Sequence, residues 1–169
     1  MKERTKFGKF MFKIITPVSI FVAKHKVLFY FLTYTWALLN TIIGYIMFYF
    51  VRVFLAKKIV SKGKFLTARY IAFGEAWGGI ACGKNFMVAD KMGSEYTMHT
   101  MKHELGHTYQ NAVMGPFAIF FGYIPSVIRY WHAVKHPSIL WDYDLFWYEG
   151  SATEIGNQVT EWYKNRGGN

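Results

Sequence analysis

The amino-acid sequence predicts an α+β fold, mainly helical, with an N-terminal membrane helix followed by a small domain that joins a short sheet to two longer helices. Three observations carry that expectation. Val27 to Val51 runs without a charged side chain between Lys26 and Arg52. Gly74, Gly78, Gly79 and Gly83 bracket short apolar stretches, the pattern of strands and tight turns. Beyond Met98, apolar residues recur at steps of three and four in two separate stretches, the period of a helix with one buried face. At 169 residues the chain has room for one modest domain and a membrane segment. We expect the division after residue 64, with a basic segment and anchor over 1–64 and the domain over 65–169.

The composition is 53% hydrophobic and 20% aromatic against 18% charged, richer in rings than a soluble domain requires, and so points to lipid contact. The net charge of +10 is unevenly placed. Residues 1–69 hold thirteen bases and one acid, Glu3, whereas residues 70–169 hold seven bases and nine acids. A basic region flanking an apolar run attracts anionic lipid headgroups, at about 1 kcal/mol per base near the surface. Membrane lipid is therefore the expected partner and nucleic acid is not. A single cysteine, Cys82, excludes an internal disulfide framework and a cysteine-based zinc cluster.

Taken in order, the stretch from Phe7 to Lys26 mixes Phe and Ile with Lys and contains Pro17, which reads as a segment lying in the membrane interface and broken at the proline, with a plain disordered basic tail as a nearly equal second reading. Val27 to Val51 is long enough to cross a hydrocarbon core of about 30 Å. Asn40, Thr41 and Gly44 near its middle leave a short re-entrant hairpin as the second reading. Seven bases before the run and five after it give no orientation. The GIACGKNFMVAD stretch predicts one or two strands with turns. A helix follows from Met98 and ends at Gly115-Pro116. Pro116 to Ile128 is apolar but too short to span, and a last helix runs from about Leu145 to Lys164.

Within the first of these domain helices stands His103-Glu104-Leu105-Gly106-His107. Residues i and i+4 share a helix face, so both imidazoles can reach one Zn²⁺ at about 2.0–2.1 Å. Glu104, one residue on, is placed to act as general base toward water at the metal. His99 extends the spacing but lies about 12 Å from His107 along a straight helix, too far to share a tetrahedral ion. A third ligand must come from elsewhere, and the candidates are Glu149, Glu154, Asp142, Asp144, His132 and His136. On the last helix, Glu149 lies at the margin of the apolar stripe formed by Tyr148, Ala152 and Val159, whereas Glu154 and Glu161 turn toward water. Glu149 is therefore the expected ligand. Thr153, one turn later, is within reach of a liganding histidine or water, although a solvated or packed threonine is the commoner fate.

HELGHTYQ, followed by GPF, IPS and YEGSAT, resembles small membrane-associated zinc peptidase-like proteins with a His-Glu-x-Gly-His-x-x-Gln signature. More broadly it is similar to the gluzincins, in which a glutamate on a later helix completes the site. The resemblance covers roughly Gly78 to Gly156. It implies His103, His107 and Glu149 as zinc ligands, Glu104 as the base, and the strand Asn85, Phe86, Met87, Val88, Ala89 as the edge along which a peptide substrate pairs. Thr153 stands where the gluzincin pattern has an acid. Tyr143, Tyr148, His132 and His136 are candidates for stabilising an oxyanion, while Trp141, Trp147 and Trp162 read as core or membrane-interface anchors.

The expected function is hydrolysis of peptide bonds by a membrane-anchored, zinc-dependent enzyme. Two other classes stand beside it: a zinc-stabilised membrane protein without catalysis, and a membrane interaction protein in which the histidine pattern is accidental.

Overall fold

The computed structural model describes residues 3–54, 56–74, 78–90, 94–136 and 145–167. Helix α1 (Lys6–Lys24) begins where the Thr5 hydroxyl accepts the Gly8 N–H, a side-chain cap on an otherwise unpaired donor. It continues through Pro17, so the expected break is not there; the proline gives up one intrahelical hydrogen bond without ending the helix. Its inward face is small and partly polar, with Thr16, Ser19 and Ala23 buried. That profile lets α1 lie close against α4 (Ser94–Met114) and α6 (Trp147–Lys164), and the Thr16 and Ser151 hydroxyls meet at 2.9 Å. Its outward face carries exposed Phe7, Phe10, Ile14, Val18 and Phe21.

The uncharged run is not one helix. It forms α2 (Lys26–Tyr34) and α3 (Leu38–Phe54), separated by a turn at residues 35–37. No single helix among the described residues is long and apolar enough to cross a membrane; only the pair α1 and α2, bent by 111°, passes on length and composition. The polar groups inside the run explain the break. Trp36 Nε1 donates to the Val113 carbonyl at 3.0 Å, and Asn40 Nδ2 donates to the Gly115 carbonyl at 2.7 Å. Val113 lies in the last turn of α4, where carbonyls lack a partner within the helix, and Gly115 directly follows that helix, its carbonyl also accepting the Ala118 N–H at 3.1 Å. Thr41 Oγ1 in turn donates to the Thr33 carbonyl, and the Tyr34 and Tyr45 hydroxyls meet at 3.2 Å, so α3 folds back on the end of α2.

Four strands make a mixed sheet in the order β1-β2-β4-β3. β1 (Ile59–Phe65) and β2 (Ala68–Phe73) form an antiparallel hairpin, β2 runs parallel to β4 (Asn85–Ala89), and β3 (Gly79–Cys82) pairs antiparallel with β4. The β3–β4 hairpin is the expected one, and the β1–β2 hairpin is an addition. Side chains alternate between the two faces. Ala72, Ala81, Phe86 and Val88 join Leu105 and Tyr109 of α4 in the main core, whereas Ile71, Phe73, Ile80 and Met87 meet Met47, Phe48 and Val51 of α3.

After α4, a π-helical turn (Ile119–Tyr123) leads into α5 (Ile124–Lys135). The expected division after residue 64 falls next to the last residue of β1, and Ile20, Val22, Ala23 and Phe29 share one core with Ala72, Leu105 and Ile155. Residues on both sides of that position therefore belong to the same packed unit.

Candidate metal centre

Helices α4 and α6 approach closely at two glycines. A Cβ at Gly106 would collide with the Ala152 carbonyl, and one at Gly156 with the Lys102 carbonyl. The glycines let the two backbones touch, and that contact sets Glu149 and Thr153 of α6 opposite His103 and His107 of α4. Glu149 Oε2 lies 3.1 Å from His103 Nε2 and 3.2 Å from His107 Nε2, and the two Nε2 atoms are 3.1 Å apart.

The opposite side of each group is held. His107 Nδ1 meets Gln110 Oε1 at 2.7 Å, and the Gln110 amide is oriented by donating Nε2–H to the Tyr148 carbonyl at 2.8 Å. An amide oxygen only accepts, so His107 carries its proton on Nδ1 and turns a lone pair outward on Nε2. His103 Nδ1 meets the Thr153 hydroxyl at 2.8 Å, which can accept in the same way. The second oxygen of Glu149, Oε1, accepts from the Ser126 hydroxyl of α5.

Two imidazole lone pairs and a carboxylate oxygen thus converge, an arrangement that repels unless a cation stands among them. A tetrahedral ion with ligand distances of about 2.0–2.1 Å has ligand-to-ligand edges of about 3.3 Å, close to the three separations found. His103, His107 and Glu149 are a group that could hold a metal ion.

Glu104 is buried, and its Oε2 has no hydrogen-bond partner. Burial pushes its carboxyl up to about 8, with His103 pulling it down and Glu149 adding to the rise. Burial acts upward on Glu149 as well, but the facing histidines when protonated, His107 first, outweigh it and hold that carboxyl below the usual carboxylate range. Gly79 of β3 packs directly on the Glu104 carboxylate, where any Cβ would collide. The Tyr148 ring stacks on His107 at 4.6 Å between centroids. Burial raises the Tyr148 pKa well above its ordinary value, so the hydroxyl keeps its proton.

The remaining sequence candidates have other fates. Glu154 is exposed and bonded to Gln158 on its own helix. His99 is exposed, and His132 and His136 pack on each other at the exposed end of α5. Trp147 is buried in a small cluster beside Tyr148, and Trp162 packs at the edge of the main core. Asp142, Asp144, Tyr143 and Trp141 lie outside the described residues. The expectation that Asn85 to Ala89 is a free edge is corrected: β4 is paired on both sides, by β2 and β3, and wholly buried. The edge strand next to Glu104 is β3, because β4 takes the inner position in the sheet order.

Gln110, Ser126 and Gly79 were not singled out as site residues. The glutamine of the His-x-x-Gln step was a usable signal, since position i+3 lies on the same helix face as His107. Ser126 and Gly79 reach the site through tertiary contacts alone. No protein-family model, curated protein or solved structure matches this chain.

Proposed function

We propose that this protein is a zinc-dependent peptidase that works at a membrane surface. One observation supports the reading above others: three ligand atoms converge at tetrahedral spacing, each braced from behind, with a buried carboxylate on the neighbouring residue. The donor set of two imidazoles and one carboxylate suits Zn²⁺. A structural zinc site closes with four protein ligands. Here three gather among the described residues, which favours catalysis over a purely structural role.

Bound zinc would supply Lewis acidity and bring the pKa of water toward neutrality. His103 and His107 present their Nε2 lone pairs, held in that tautomer by Thr153 and Gln110, and Glu149 offers one oxygen while Ser126 occupies the other. Glu104, buried with its Oε2 free of hydrogen bonds, can as a carboxylate take a proton from water and pass it to a leaving amine. A peptide would lie along the free edge of β3 at its Gly79 end, where the absence of a side chain brings the strand onto Glu104.

The membrane part rests on the surface. Phe31, Leu39, Ile42, Ile46, Phe50 and Phe54 are exposed on α2 and α3, as are Phe120, Phe121, Ile128 and Trp131 around α5, far more than the scattered apolar exposure of a soluble protein. With no helix of spanning length among the described residues, we read these surfaces as seated in one leaflet.

Metal content of the detergent-purified chain, measured beside hydrolysis of a fluorogenic peptide library, tests the reading. About one zinc per chain is expected, with turnover lost in Glu104→Gln while zinc is retained. Zinc without turnover in the wild type would leave a structural site, and no zinc would remove the proposal.

A further inference from the structure

A second cluster lies on the α3 side of the sheet, away from the candidate metal centre. The β3–β4 hairpin turns through Gly83 at φ +57°, a conformation that suits glycine in a two-residue loop. A Cβ there would meet the Thr41 backbone, so the turn rests on α3 and carries Lys84 beneath the α2–α3 elbow. Lys84 is only 8% exposed. Its Nζ stands 4.9 Å from the Tyr34 ring centroid, 5.4 Å from Tyr30 and 5.9 Å from Tyr45, and the Arg69 guanidinium lies 5.9 Å from the same Tyr45 ring.

Neither cation has a carboxylate partner among the described residues. A buried ammonium ordinarily has one. Burial pushes the Lys84 pKa down, but the Tyr34 and Tyr45 hydroxyls reverse the direction, so the charge persists. Asn85, 3% exposed, leaves both Nδ2 and Oδ1 without a partner. It pairs in register with Arg69 on the parallel strands, so the two side chains leave the same face of the sheet. Two cations without a carboxylate partner, Lys84 held only by tyrosines, and an unpartnered amide thus stand together. From Tyr45 a shallow, open apolar groove between the side chains of Ile46, Tyr49, Phe50 and Phe54 runs along the face of α3.

We propose that Lys84, Arg69, Tyr34 and Tyr45 bind the phosphate-bearing headgroup of one anionic phospholipid, whose acyl chain lies in the α3 groove. Arg69 is exposed and meets the phosphate at the rim, where its planar fork of donors suits two phosphate oxygens. Lys84 supplies the charge beneath, and whichever of the Tyr34 and Tyr45 hydroxyls accepts in their mutual hydrogen bond donates its own hydrogen from the side. The apolar groove beginning at the same tyrosine makes a phospholipid the fitting anion rather than free phosphate. The inference rests on the membrane half of the proposed function and is independent of the zinc chemistry.

The test is flotation of the full chain with phosphatidylcholine vesicles, with and without phosphatidylglycerol. Wild type should bind both and gain on adding the anionic lipid. Arg69→Gln and Lys84→Met should each reduce that gain about fivefold, the effect of roughly 1 kcal/mol per base at an anionic surface. Lys164→Gln, an exposed charge at the end of α6, should leave most of it. Because Lys84 is buried, zinc content and melting temperature of each variant report folding, and exposed Arg69 carries the test if Lys84→Met fails to fold. An equal loss in Lys164→Gln overturns the site in favour of diffuse attraction. Removal of the gain by inorganic phosphate overturns it in favour of a soluble anion. An anionic gain unchanged in Arg69→Gln overturns it outright. Absence of binding to either vesicle overturns it together with the membrane reading, while zinc measured on the same samples still judges the peptidase reading.

Discussion

Glu149 and Glu154 share one helix and have opposite surroundings. Glu149 is 1% exposed and faces both histidines, whereas Glu154 points to solvent. Glu149→Ala should therefore lose zinc affinity and, because the metal binds only the folded state, lower the melting temperature as well. Glu154→Ala should change neither, and zinc titration with thermal melting of both variants in one detergent checks the contrast. Gln110 is one step further from the metal. Its amide holds the His107 tautomer, so Gln110→Leu, which keeps the bulk and removes the acceptor, should weaken zinc affinity about 10- to 100-fold. The fold should survive that change, and a competitive zinc chelator titration measures it.

At the scale of elements, the contact between α4 and α6 depends on Gly106 and Gly156. Gly156→Val would push the Lys102 carbonyl away from α6 and so separate Glu149 from the histidines. Overpacking of a tight contact costs roughly 1–3 kcal/mol, and the expected result is a lower melting temperature together with loss of zinc, read by metal analysis. The elbow between α2 and α3 is a polar joint in an apolar run. Asn40→Leu makes the run more apolar but removes one of the two donors to the buried Gly115 carbonyl, leaving it only the Ala118 N–H, at a cost of about 1 kcal/mol. Reduced stability in this variant, measured by thermal melting, is expected. Unchanged stability would show that the Asn40 bond does not hold the joint.

For the whole molecule, the break at residues 35–37 changes what membrane contact means. A single spanning helix over 27–51 would place Lys26 and Arg52 on opposite sides of a bilayer. With α3 folded back on α2 and both packed on the rest of the chain, the proposed seating in one leaflet keeps them on the same side. Cysteines introduced at Lys24 and Lys57 should therefore react with a membrane-impermeant maleimide from the same face of a vesicle; the native Cys82 is buried. Labelling from opposite faces would restore a span.

The sequence alone determined what depends on short-range geometry. The i, i+4 spacing of His103 and His107 follows from helical pitch, and the place of Glu149 at the edge of an apolar stripe follows from the same pitch on a second helix. The helical periods of α4 and α6 and the glycine-bounded hairpin of β3 and β4 were legible for that reason. Other features depend on partners distant in the chain. β1 reads as a basic flank because its side chains are mostly exposed, and only pairing with β2 makes it a strand. β4 looks like any short apolar strand, and its inner position follows from β2 and β3 lying on either side. The run from Val27 to Val51 has the composition of a span, yet Trp36 and Asn40 donate to carbonyls at and just beyond the end of α4. Local hydropathy records how much a segment avoids water; which backbone groups need a hydrogen-bond partner, and from where, is set only when the chain has folded.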